Sequence, residues 1–232
     1  MDFGKAFTFM FEDPDWLRKL GIGTLVGLVG IIFSPVLIGL IPLIMLFGYS
    51  LDVLRNVMDG KQYPLPEWED WGGFLVRGLK IIGVSIVWAL PLIVVAIPFG
   101  IGAELSDNSG SAANAIGALF MICGGCLSLL WALFLWLVTP AIYIRLARTD
   151  RFGSAFELGK IWALTRDNFA NVIIALILLI VAGIIAAVLG MLGFIALVIG
   201  ILVSIPFANL WWYLVQAHLF GQIGANSVTA VE

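Results

Sequence analysis

Charge is scarce in this sequence: 12% of its 232 residues are Asp, Glu, Lys or Arg, while 62% are hydrophobic. Soluble domains carry about 25% charged and about 45–50% apolar residues, so the apolar excess is expected to face lipid. The chain has one histidine and a net charge of −3, with no Lys/Arg run, so nothing points to nucleic acid. Its two cysteines, Cys123 and Cys126, stand inside an apolar stretch and form no disulfide framework. There is no HExxH, no GxSxG and no phosphate-binding glycine loop. No acid, Lys or Arg lies deep in an apolar run, where ionisable groups would mark an ion pathway or proton relay. With one histidine, a Ser/His/Asp set cannot be assembled at a shared buried position. An enzyme is not expected, and no catalytic, cofactor-binding or metal-binding residues are assigned.

The apolar runs are Leu20–Leu51, Ile81–Ala103, Asn108–Ile144 and Asn168–Val231. A membrane helix needs about 20 residues. The last run is long enough for two helices and breaks at Gly190-Met191-Leu192-Gly193. The first is interrupted by Ser34-Pro35, where proline removes a helix donor. All Lys and Arg fall in three groups: Lys5 to Lys19, Arg55 to Lys80, and Arg145 to Arg166. Basic residues near span ends stay cytoplasmic, so the first run must enter and leave on one side, as two short spans or a re-entrant hairpin. The expected fold is all-α: six transmembrane helices in three hairpins, with both termini cytoplasmic in a plasma membrane. These hairpins cover 1–60, 61–150 and 151–232 of a single membrane domain. The first residues lack a basic leader and cleavage site, so the first helix is expected to remain in the mature protein.

Each hairpin is preceded by an amphipathic stretch expected to lie in the cytoplasmic interface. Phe3, Ala6, Phe7, Met10 and Phe11 share one helical face; so do Trp68, Trp71, Leu75 and Leu79, and Phe152, Ala155, Phe156 and Trp162. The wording Phe3-Gly4-Lys5-Ala6-Phe7 returns as Phe152-Gly153-Ser154-Ala155-Phe156, and Pro42, Leu46 and Tyr49 return as Pro206, Leu210 and Tyr213 at the same spacing. Together these suggest a threefold internal repeat.

Two motifs supply the candidate site residues. Asp13-Pro14-Asp15-Trp16 reads as a helix start: Asp13 as cap, Pro14 in the first turn, Asp15 at the positive dipole end and Trp16 as headgroup anchor. Pro64-Leu65-Pro66-Glu67-Trp68-Glu69-Asp70-Trp71 reads as a stiff extended segment leading into an interfacial helix. Asp13, Asp15, Trp16, Glu67, Trp68, Asp70 and Trp71 are thus interfacial residues or a docking surface for a protein partner. Cys123-Gly124-Gly125-Cys126 reads as close helix packing, and His218, near Gln216 and Gln222, as an interface residue.

The order DPDW, apolar hairpin, LDVLRNVMDG, PLPEWEDWGGFLVRGLK, apolar span and FGSAFELGKIWALTRDN resembles the uncharacterised prokaryotic family called domain of unknown function 4013. The likeness extends over nearly the whole chain. It implies a polytopic membrane protein and carries no catalytic residues across. A looser likeness exists to the membrane domain attached to some glycerophosphodiester phosphodiesterases. Three two-helix repeats are also similar to mitochondrial carriers, but their Px[DE]xx[KR] signature is missing. The expected role is a non-enzymatic membrane scaffold or accessory subunit. The alternative is a facilitator or binder of a lipid or small apolar molecule, motivated by prolines within spans. The expected partners are the lipid bilayer and a membrane or cytoplasmic protein.

Overall fold

A computed structural model describes residues 1–108 and 111–227. The tip between the third and fourth expected spans (109–110) and the end of the last run at Val231 lie outside the described residues. The described chain is helical: α1 (Lys5–Thr8), α2 (Trp16–Phe33), α3 (Leu40–Met58), α4 (Trp71–Asn108), α5 (Ser111–Thr149), α6 (Leu158–Asp167), α7 (Phe169–Leu192) and α8 (Leu197–Ala225). Short 3-10 turns occupy Phe9–Glu12, Ser34–Val36, Phe152–Phe156 and Gly193–Ala196. Six helical stretches are long and apolar enough to cross a membrane: Trp16–Val36, Leu40–Met58, Trp71–Ser106, Asn114–Thr149, Phe169–Ile195 and Gly200–Ala225.

The first apolar run is therefore two helices. At 18 and 19 residues, α2 and α3 each extend roughly 27–29 Å, close to the hydrocarbon thickness of about 30 Å. The chain reverses between them. Pro35 stands in the 3-10 turn, Leu37 takes a left-handed φ of 62°, and the Gly39 N–H donates to the carbonyl of Phe33 at 3.1 Å. A Cβ on Gly39 would collide with the backbone of Gly30 and Phe33, so only glycine closes this turn. The break in the last run falls slightly later than the sequence suggests. Helix α7 continues through Leu192, and the turn is Gly193–Ala196.

The chain forms two compact units, residues 1–82 with 140–232, and residues 83–139. In the first, α8 packs against α2, α3 and α7, and α2 packs against α3. Its core includes Leu46, Tyr49, Leu54, Leu210, Leu214 and Phe220. The N-terminus of α4 crosses α3 with backbones in contact. A Cβ on Gly48 would strike the Phe74 carbonyl, and one on Gly78 the Ile44 carbonyl. In the second unit the indole N–H of Trp131 donates to the carbonyl of Trp88 at 3.1 Å, and Trp131 also lies against Phe134. Glycines 102 and 117 leave no room for side chains between their helices.

The three amphipathic stretches do not become three continuous interfacial helices. The first breaks at Thr8 into a 3-10 turn. The change of pitch turns Phe9 into the core against His218 and leaves Phe11 exposed. In the second, Trp68 precedes the helix, and Trp71–Lys80 is simply the start of α4. Its buried line is Phe74, Gly78 and Ile81, while Leu79 is exposed, because the glycine crossing sets which side meets α3. The third splits into the Phe152–Phe156 turn and α6. Ala155 is buried and both Phe152 and Trp162 are exposed.

Candidate functional site

The two motifs singled out in the sequence meet in space, and Lys19 joins them. The helix α2 starts at Trp16 with Asp15 at the N-cap position, where its side chain makes no capping bond. Asp13 sits in extended backbone two residues earlier, and its Oδ1 accepts the Asp15 N–H at 2.8 Å. This frees Oδ2 to accept from Lys19 Nζ at 2.8 Å. Lys19 also reaches Glu67 Oε1 at 2.9 Å and the carbonyl of Leu65 at 3.0 Å. Arg18 pairs with Glu67 from the outer side. The Lys19 side chain is 7% exposed and that of Asp13 is 3% exposed, so this ion pair is buried.

The Pro64-Leu65-Pro66 strap is held by three consecutive carbonyls, each taking a proton donor from a different place. Asn56 Nδ2 donates to Pro64 at 2.8 Å, Lys19 Nζ to Leu65, and the Tyr49 hydroxyl to Pro66 at 3.1 Å. Proline suits such a strap. It stiffens the backbone and contributes no N–H that would need a partner. Trp68 then turns inward. It is 8% exposed, its ring stacks on Tyr49 at 4.2 Å with a 4° interplanar angle, and its indole N–H donates to the Lys19 carbonyl at 2.9 Å.

Asp70 caps α4. Its Oδ1 accepts the Gly73 N–H at 2.9 Å and its backbone carbonyl accepts from Phe74. Its Oδ2 meets Arg77 Nη2 at 2.8 Å. The Arg77 guanidinium and the Gly73 N–H together hold the Asp70 carboxyl below its ordinary range. Arg77 continues the network to Asp52 at 2.7 Å; Asp52 approaches Arg55, and Arg55 approaches Asp150. Asp150, at a left-handed φ of 53° just past α5, also pairs with Lys80 at 3.0 Å. Arg148 pairs with Asp59 at 3.1 Å. The starts of α2 and α4 and the ends of α3 and α5 thus share one polar layer.

Of the residues expected to dock or anchor, Asp13, Glu67, Trp68 and Asp70 are engaged in intramolecular contacts. Trp16 is half-buried, with its ring edge-on to Phe11 at 5.3 Å. Asp15 and Trp71 are exposed, with Trp71 at 5.2 Å from Trp68. Glu69 beside them is exposed as well. Sequence reasoning missed Lys19, Asp52, Arg77 and Asp150. The signal it could have used for Asp70 is an Asp immediately before the apolar helix, the position of a capping residue.

Two other readings of single residues change. His218 is buried rather than interfacial: it stacks on Phe9 at 4.3 Å, and its Nδ1 lies 2.9 Å from Gln222 Nε2. Cys123 and Cys126 are exposed and unbridged. The close approach expected at their two glycines is limited to Gly124, which faces Phe99, while Gly125 faces open space.

Among the described residues, no group of three His, Cys, Asp or Glu is placed to hold a metal ion. Two apolar grooves flank α8 in the first unit. One, of about 390 Å³, has Gly183, Ala187 and Gly190 of α7 as its floor, with Asn209 and Trp212 on the opposite wall. The other, of about 370 Å³, lies between Leu17, Thr24 and Leu25 of α2 and Val203 and Phe207 of α8.

A family model described as a protein of unknown function, DUF4013, matches residues 28–197. The match takes in the strap, Trp68 and Asp70, but begins after Asp13 and Lys19, so it covers less of the chain than the sequence likeness suggests. No curated protein matches the chain, and no solved structure does.

Proposed function

The chain belongs to the DUF4013 family of proteins of unknown function, and from that premise we propose that it is a non-enzymatic membrane scaffold or accessory subunit. In this reading it crosses the plasma membrane of a prokaryotic cell six times in three hairpins. The polar layer faces the cytoplasm and both termini lie on that side. Support comes from Lys19, which binds residues that follow α3, so α2 and α3 leave and return at one level. Arg18, Lys19, Arg55, Arg77, Lys80 and Arg148 sit in that layer, as the positive-inside tendency requires.

The observation that carries the scaffold reading is the use made of the charged groups. Asp13, Glu67, Asp52 and Asp150 are spent on cations that fasten helix ends together. They build a braced surface on which Glu69, Asp15 and Trp71 stand exposed. A cytoplasmic or membrane protein partner docks there. Purification from native membrane in mild detergent tests this. Glu69→Lys with Trp71→Ala should release the partner while thermal stability stays unchanged, whereas Trp68→Ala should lower stability as well. A partner retained at full stoichiometry by Glu69→Lys/Trp71→Ala rules the docking surface out.

A second reading, a binder of a lipid or small apolar molecule, is favoured by the groove between α7 and α8. Ala187→Trp would fill it. Loss of one enriched lipid from the purified protein would support this reading, and an unchanged lipid profile would remove its basis.

A further inference from the structure

Residues 145–168, from the end of α5 to the start of α7, reverse the charge of the chain. They hold five cations and three acids, although the whole chain is net −3. All three acids are already engaged. Glu157 is bound by the buried Arg145, whose Nη2 lies 2.5 Å from its Oε2, and Asp150 is bound by Lys80 and Arg55. Arg151 is exposed, and its guanidinium makes no ion pair among the described residues. Among the described residues Arg166 is bound only to its neighbour Asp167, and its side chain remains 69% exposed.

The same segment bears apolar side chains on its outside. Helix α6 turns Ile161, Leu164 and Thr165 into the protein. Leu158, Trp162 and Arg166 follow at i, i+4 and i+8, so they form one line along the adjoining exposed side. Leu158 is 59% exposed and Trp162 is 50% exposed. Phe152 before the helix and Phe169 after it are exposed too. Water is a poor solvent for this ridge, and a helix tied between two spans cannot leave the bilayer surface. A Trp/Leu ridge bordered by arginines fits the boundary between acyl chains and headgroups.

We propose that the α5–α6–α7 junction binds anionic phospholipid, with Arg151 before the Phe152–Phe156 turn and Arg166 at the end of α6 each meeting a headgroup phosphate, and Leu158 and Trp162 against the acyl chains. The corresponding segment of the first hairpin is no equivalent. Residues 2–19 carry four acids against three cations, and Lys19 is enclosed by Asp13 and Glu67. The lipid therefore binds at the third hairpin and leaves the first unoccupied.

The test is native mass spectrometry of the full-length protein in detergent, titrated separately with phosphatidylglycerol, phosphatidylcholine and soluble glycerol phosphate. Cations near an anionic surface contribute enough that removing each should weaken binding about fivefold. Phosphatidylglycerol should bind more tightly than phosphatidylcholine, and glycerol phosphate should bind weakly or not at all. Arg151→Gln with Arg166→Gln should lower phosphatidylglycerol affinity about 25-fold. Lys61→Gln, a cation outside the site, should leave it unchanged. The double variant's melting temperature without added lipid checks its fold, and Arg151→Lys with Arg166→Lys should keep most of the affinity. Equal binding of the two lipids would overturn the proposal, as would tight binding of glycerol phosphate or an undiminished preference in the Gln double variant. An equal loss in Lys61→Gln would also overturn it, because the effect would then be net charge and not a site.

Discussion

Burying the Lys19 ammonium is unfavourable by several kcal/mol unless anions surround it, and Asp13, Glu67 and the Leu65 carbonyl do so. Lys19→Met should therefore cost about 3 kcal/mol, because it strands the Asp13 carboxylate. Adding Asp13→Asn should recover part of that loss. Thermal unfolding of the detergent-solubilised variants measures both. Trp68→Ala removes a stacked ring and one hydrogen bond and should cost about 3 kcal/mol or more. Asp70 gives the sign of one pH effect. Its folded carboxyl is held below the ordinary value of about 4, so its ionised form stabilises the fold above that value. That stabilisation is lost as pH falls through the lowered folded value. Asp70→Asn should flatten the acid side of the stability profile measured between neutral pH and about pH 3; an unchanged acid limb would contradict the cap and Arg77 pairing. At this scale the sequence displayed Asp13, Trp68 and Asp70 as distinctive residues but not their partners. Glu67 lies 48 positions from Lys19, and pairing over that distance leaves no periodic trace. Local rules assigned Asp13 to a cap and Trp68 to the interface; the structure uses both to enclose a lysine.

The elements follow the sequence more closely, and their deviations have physical causes. Proline and glycine punctuation correctly divides the first and last apolar runs into two helices each, although proline's effect depends on position: Pro91, Pro98, Pro140 and Pro206 lie inside helices that continue through them. The amphipathic stretches are less legible, because helical periodicity assumes constant pitch. Phe9–Glu12 and Phe152–Phe156 adopt 3-10 turns, which rotate the following side chains to new directions. The crossing of α3 and α4 was not legible either, since a glycine in an apolar helix carries no mark of the backbone opposite it. Gly48→Ala should force the Phe74 carbonyl away and cost about 1–3 kcal/mol. Gly72→Ala, which meets nothing within 4 Å in the first turn of α4, should be neutral or slightly stabilising. Equal stability of both variants in thermal melts would contradict the close crossing.

For the whole molecule, composition alone identified a membrane protein, because an apolar excess of this size has no use in a water-soluble core. Six apolar helices agree with that identification. The division into residues 1–82 with 140–232 and residues 83–139 was not visible, because no shift in composition marks it and it depends on which long-range contacts form. The six-span reading rests on the single polar layer in which α2 to α5 begin or end. Cysteine accessibility in intact cells tests it most directly, in a background with Cys123→Ser and Cys126→Ser. Lys61→Cys and Asp2→Cys should be labelled by a membrane-impermeant maleimide only after permeabilisation, while Leu37→Cys and Glu104→Cys should be labelled in intact cells. Labelling of Leu37→Cys and Lys61→Cys from the same side would show that α2 and α3 do not both cross, and would contradict the six-span account.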